Sequence, residues 1–294
     1  MAAARTTRAW AWVIALVAIV LVLVLAGGAW ATWRPLSDHD AARLAARDIV
    51  ASVAESPETR IPRETSNRQL SALGPAATPA QRDRLTEPQD PADLPTAASR
   101  LTELALDQKN AELAATMAGI AASWSATAAR ADSNAPVVMD LEPGDQLDVA
   151  AAQRCTPELT ALATQLDRAR YTAQAAEARE GSDTDPSAAA LRQWQERLER
   201  LHDEPAVAPL YACDPYPARG GYRLPPNLAE NAPDAAGHVA GDVAEYAAAA
   251  LASSAPAERP WLLASLETSA RAQALLQPQE PVPALVGDIT VTDQ

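Results

Sequence analysis

The sequence predicts an all-α protein: an N-terminal transmembrane helix, then an antiparallel helical bundle in which a disulfide pins one helical hairpin. Three observations lead there. Alanine, the best helix former, supplies 70 of the 294 residues, and Phe is absent. An uncharged run, Ala9 to Trp33, stands near the start. Beyond it, apolar side chains recur at spacings of three and four, the period of one helix face.

The uncharged run contains "VIALVAIVLVLVLAGGA". At 1.5 Å per residue it is long enough to cross a hydrocarbon layer of roughly 30 Å. Trp10 and Trp12 at one end and Trp30 and Trp33 at the other stand where an interfacial belt would. A cleaved signal peptide is the alternative: Arg5 and Arg8 form a basic start, and Ala29-Trp30-Ala31 fits a cleavage site after Ala31. The apolar core is longer than the roughly 7–15 residues usual for a signal. The expectation is therefore a signal anchor in a cell membrane, N-terminus inside, with the remaining chain extracytoplasmic and the lipid bilayer as one partner.

The domain boundaries follow: a cytoplasmic tail over 1–8, the span over 9–33, a juxtamembrane helix over 34–56, a Pro-rich linker over 57–95, a bundle over 96–277 and a C-terminal tail over 278–294. Ser37 or Asp38 caps the juxtamembrane helix, and Pro57 ends it. Within the linker, "TPAQRDRL" reads as a short helix. From Thr96 to Ala131 no proline interrupts, and Leu101, Leu104, Leu113, Met117, Ile120 and Trp124 predict one long amphipathic helix. "SNAPVVMDLEPGD" breaks it. Its acids Asp140, Glu142 and Asp145 lack the spacing of a calcium loop, so a solvated turn is expected.

A helical pair follows. Thr156-Pro157 and Asp185-Pro186 repeat one starting chemistry, cap then proline. Leu159, Leu162, Leu166, Ala169 and Ala173 repeat in the first helix, and Leu191, Trp194, Leu198 and Leu201 in the second. The short join makes an antiparallel hairpin. Cys155 precedes its first helix and Cys213 follows its second. Antiparallel folding returns the chain toward its start, and two cysteines in a chain with an export-like beginning predict a 155–213 bridge. "LYACDPYPARGGYRLPP", residues 210–226, then reads as a strap held to the hairpin. Two more helices are expected over about 234–253 and 256–277.

The net charge is −14, and from Arg34 onward 22 basic side chains face 38 acidic ones. Such a surface repels a phosphate backbone, which excludes nucleic acid as a partner. No nucleophile elbow, phosphate loop, dinucleotide fingerprint or C-x-x-C is present. Glu199 and His202 form an E-x-x-H, and His238, Asp242 and Glu245 share a helix face. A di-iron bundle needs a second E-x-x-H and two further glutamates, so solvated helix faces are expected, with no metal and no cofactor. Tyr211, Tyr216, Arg219 and Tyr222 form the most recognition-like group, read first as packing over the hairpin end and second as a binding patch.

The "AWVIALVAIVLVLVLAGGAWATW" segment, the two cysteines and "EYAAAALASSAPAERPWLLASLETSARAQALL" resemble alanine-rich, single-pass envelope proteins of actinobacteria. The last piece is similar to helices of ferritin-like domains of unknown function. The resemblance implies a helical domain and no established activity. The expected function is an envelope interaction or structural component without catalysis and with a protein partner. The alternatives are a binding module for a small ligand or cell-wall sugar, and a degenerate ferritin-like or novel bundle enzyme.

Overall fold

The computed structural model describes residues 17–22, 36–59, 61–83, 85, 93–139, 155–180, 185–203 and 221–287. Among them the regular elements are all helical: α1 Asp38–Glu55, α2 Arg63–Ala72, α3 Pro79–Arg82, α4 Leu94–Asp107, α5 Ala111–Ala131, α6 Pro157–Glu180, α7 Pro186–Asp203, α8 Ala232–Ala252 and α9 Arg259–Leu276. One 3-10 turn, Pro226–Ala229, precedes α8, and another, Pro256–Glu258, leads into α9.

The helices start where short polar side chains meet free amides, as unsatisfied first-turn N–H groups require. Ser37 caps α1 through the amide of Asp40, Asp93 caps α4 through Thr96, and Asn231 caps α8 through Asp234. Thr156 Oγ1 accepts from Leu159 N at 3.2 Å at the start of α6, and Asp185 accepts from Ser187 N at 2.8 Å at the start of α7.

Three hairpins build the bundle. The α8–α9 hairpin is central. On one side α5, paired with α4, packs against α9 and α8, and on the other α6 and α7 pack against α8 and α9. A smaller hairpin, α1–α2, leans on α4. The α8 interface is nearly all Ala, Gly and Val, with Ala236, Ala240, Val243, Ala244 and Ala247 at 2% exposure or less. Small side chains let the axes approach closely, and larger ones fill the layers between: Trp124 and Ile120 from α5, Leu162 and Leu166 from α6, Trp194 and Leu198 from α7.

The expected single helix over Thr96–Ala131 is two helices. The chain breaks at Gln108-Lys109-Asn110, where the Asn110 side chain accepts from Leu113 N at 2.8 Å and starts α5 afresh. The apolar stripe runs through the break without a proline, because both halves of this hairpin bury one face. The Pro-rich 57–95 segment contains α2, whose Gln69 is fully buried. The C-terminal tail is also built in: residues 278–287 leave α9 by a turn and run along α5.

One expectation is corrected. Among the described residues no helix is long and apolar enough to cross a membrane. Of the 9–33 segment only residues 17–22, helical and exposed, are described. Trp10, Trp12, Trp30 and Trp33 lie outside the described residues. The described residues therefore do not support the single-pass anchor or the extracytoplasmic placement built on it. The expected bridge falls partly on residues outside the description: Cys155 is disulfide-bonded, and Cys213 and the 210–220 part of the strap lie outside the described residues.

Candidate functional site

Helix α9 touches α5, α7 and α8, so most of its circumference faces protein. Charged residues on such a helix are forced inside, where each needs partners. Glu267 and Arg271, one turn apart and thus on one face, are 4% and 3% exposed. Ser125 of α5 stands between them. Its hydroxyl donates to Glu267 Oε1 at 2.5 Å, and its oxygen accepts from Arg271 Nη1 at 3.1 Å.

Both charged groups also hold the chain that follows α5. Glu267 Oε1 accepts from Val138 N at 2.8 Å and Oε2 from Met139 N at 2.6 Å. Arg271 donates to the carbonyls of Pro136 at 3.0 Å and Ala135 at 2.7 Å. Burial pushes the Arg271 guanidinium below the usual arginine range, and the nearby Glu267 carboxylate opposes that push. Beside the cluster lies a cleft of about 210 Å³ whose lining includes Thr102, Ala122, Val138, Met139, Leu263 and Glu267.

Chemically this arrangement holds rather than attacks. A serine nucleophile needs a base for its proton and room for a substrate at its oxygen. Ser125 has the carboxylate, but the residue is 1% exposed and its oxygen faces the Arg271 guanidinium. Glu267 is likewise engaged at both oxygens.

The same logic recurs at helix ends. C-terminal carbonyls lack intrahelical partners and carry partial negative charge, and arginine forks suit several of them at once. Arg259, fully buried at the start of α9, donates through Nη1 to the carbonyls of Gln108, Ala105 and Leu106, and through Nε to Ser254 Oγ. Burial lowers its pKa. Arg43 and Arg47 of α1 hold the α2 end through Leu73, Pro75, Leu70 and Gly74. Arg130 of α5 reaches Ala274 and Gln277 at the end of α9, and Trp261 Nε1 reaches Leu201 O at the end of α7.

The residues singled out from sequence fall differently. Tyr222 packs: its hydroxyl donates to Asp167 Oδ2 at 2.6 Å and its ring lies 6.2 Å from that of Tyr171 on α6. Tyr211, Tyr216 and Arg219 lie outside the described residues, so no tyrosine patch is assembled among those described. His238 is exposed and meets Gln277 Nε2 at 3.1 Å and Asp234 at 3.5 Å. Asp242 lies 3.8 Å from Arg168, and Glu199 accepts from Gln195 Nε2 at 3.0 Å. Among the described residues no three His, Cys, Asp or Glu side chains are grouped to hold a metal ion.

Glu267, Arg271, Ser125 and Arg259 were missed in the sequence. Nothing local in the sequence marks Glu267 and Arg271 as buried: a spacing of four is that of any ion pair on a helix face. The one usable hint was "ERPWLL", an arginine at a helix start, where the helix dipole disfavours a cation unless another helix end faces it. No family model matches the chain, and no curated protein or solved structure shows a significant match to it.

Proposed function

We propose that this chain is a non-catalytic helical interaction or structural protein that works through its surface. The observation supporting this reading is the use made of the buried ionisable groups. Glu267, Arg271 and Arg259 each bond main-chain atoms of neighbouring segments, and so fix where helices end and loops sit. The clefts beside Glu267 and beneath residues 281–286 each leave about 10 Å³ for a guest, far below the roughly 300–1,000 Å³ of small-molecule sites.

A protein partner fits the exterior. Tyr171 on α6 and Tyr246 on α8 are each 40% exposed, on helices that pack side by side. Tyrosine is favoured at interface hot spots, and a chain of net charge −14 selects a partner with a basic face. The test is quantitative crosslinking of the purified chain to proteins of its native extract, with and without the paired substitutions Tyr171→Ala and Tyr246→Ala. The reading expects a reproducible partner whose yield falls at least tenfold in the variant and declines with salt. Equal yield from variant and wild type, or a metabolite that raises the melting temperature unless Glu267 is replaced by Gln, would contradict it.

A further inference from the structure

Helix α8 turns one side to the core and the other to solvent, and its fixed charges are all of one sign. Its acids are Asp234, Asp242 and Glu245, and it holds no lysine or arginine. Asp242, Glu245, Tyr246, Ala249 and Ala252 are exposed. At spacings of three and four they form one line along the helix.

Little in the fold neutralises or covers that line. Asp242 meets Arg168 of α6 at 3.8 Å and keeps half of its side chain in solvent. Among the described residues Glu245 and Tyr246 have neither an ion-pair nor a hydrogen-bond partner, and Tyr246 is 40% exposed. The C-terminal end of a helix adds partial negative charge, and the last turn of α8 carries no basic residue to offset it.

Such a line fits a cation, and its neighbours select the kind. Glu245 adjoins Tyr246, and Asp242 lies one turn before it. A planar guanidinium can fork to a carboxylate and stack on a ring, whereas an ammonium offers only a compact point charge. Beyond Tyr246, the methyl groups of Ala249 and Ala252 leave a low strip against which a second helix can lie close.

We propose that this face of α8 docks an amphipathic helix of another protein through arginines spaced three or four residues apart. Complementary charge steers and selects that partner, and helix-on-helix docking presents its side chains at intervals matching those of α8. This rests on the reading of partner binding above, which calls for a basic partner, and adds the helix that receives it and the side chain received.

Three labelled synthetic helices of alanine, leucine and glutamine test it on the full-length chain. They are identical except for arginine, lysine or glutamate at one set of positions four apart. In fluorescence anisotropy the arginine helix should bind saturably, the lysine helix about fivefold more weakly, and the glutamate helix not at all. Asp242→Asn combined with Glu245→Gln should weaken binding of the arginine helix about tenfold. Glu55→Gln combined with Glu103→Gln removes as much charge from exposed positions on α1 and α4, and should change binding less than about twofold. Equal binding of the arginine and lysine helices, equal loss in the two double variants, or no saturable binding overturns the proposal. Should the crosslinked partner still depend on Tyr171 and Tyr246 in any of those cases, the reading above stands and only the arginine-selective face of α8 falls.

Discussion

Ser125 on α5 donates its hydroxyl proton to Glu267 on α9 at 2.5 Å, across a separation of 142 residues. Both lie inside the bundle, and Glu267 passes the constraint on to the amides of Val138 and Met139. Replacing Glu267 by Gln keeps the volume but turns one acceptor into a donor facing an N–H group. The expected cost is about 1–3 kcal/mol, the penalty for a buried unsatisfied group. Urea denaturation reads it, and the Val138 and Met139 amides should exchange faster with solvent.

Arg259 gathers the carbonyls at the end of α4 while opening α9. A lysine ends one bond short of the Nη1 that reaches these carbonyls and lacks the Nε that meets Ser254 Oγ. Arg259→Lys should destabilise the chain by about 1–3 kcal/mol, and Arg259→Ala by more, since it also opens a cavity. The loss should appear first as increased proteolysis at Gln108-Lys109-Asn110.

Two glycines should respond oppositely to alanine. At Gly119 the new Cβ meets a backbone oxygen, Val286 O, at 2.8 Å, so Gly119→Ala should cost about 1–3 kcal/mol as an overpacked site. At Gly241 it meets the far end of the Gln273 side chain at 2.9 Å, which can swing away. Gly241→Ala should be neutral or stabilising by up to about 1 kcal/mol through helix propensity. Melting temperatures of the two variants separate these outcomes.

Acid should weaken the start of α4. Asp93 accepts from Thr96 N at 2.8 Å, and these bonds to Thr96 hold its carboxyl below the usual range. A carboxylate with a lowered folded pKa adds stability that is complete above its unfolded pKa and is lost as pH falls through the folded one. Asp93→Asn keeps the cap without the titration. The difference in stability between wild type and Asp93→Asn should therefore shrink on the acid side, between about pH 5 and 2, as measured by denaturation at stepped pH.

What the sequence made readable follows from how each element is specified. Helices α1, α6, α7 and α8 combine a local cap with an apolar stripe, and both signals sit within one helix. The break at Gln108 to Asn110 carries only a cap: Leu104 and Leu113 continue the stripe across it, and Arg259, which holds the turn, is about 150 residues away. The built-in roles of Gln69 and of residues 278–287 rest on side-chain to main-chain bonds spanning 215 and 160 residues, which leave no periodic trace. Glu267 and Arg271 stand at ordinary ion-pair spacing, and only the packing of α9 between three helices places them inside.

Buried polar side chains fix the loops of this bundle as firmly as its helices. Native-state hydrogen exchange on the full chain is the decisive measurement. The amides of Val138, Met139 and Val286 lie outside α-helices but bond Glu267 and Gly119. They should exchange as slowly as those of Ile120 and Trp124 within α5, with protection close to that of global unfolding. Exchange of these three amides at the rate of open loops, while α5 remains protected, would contradict the account.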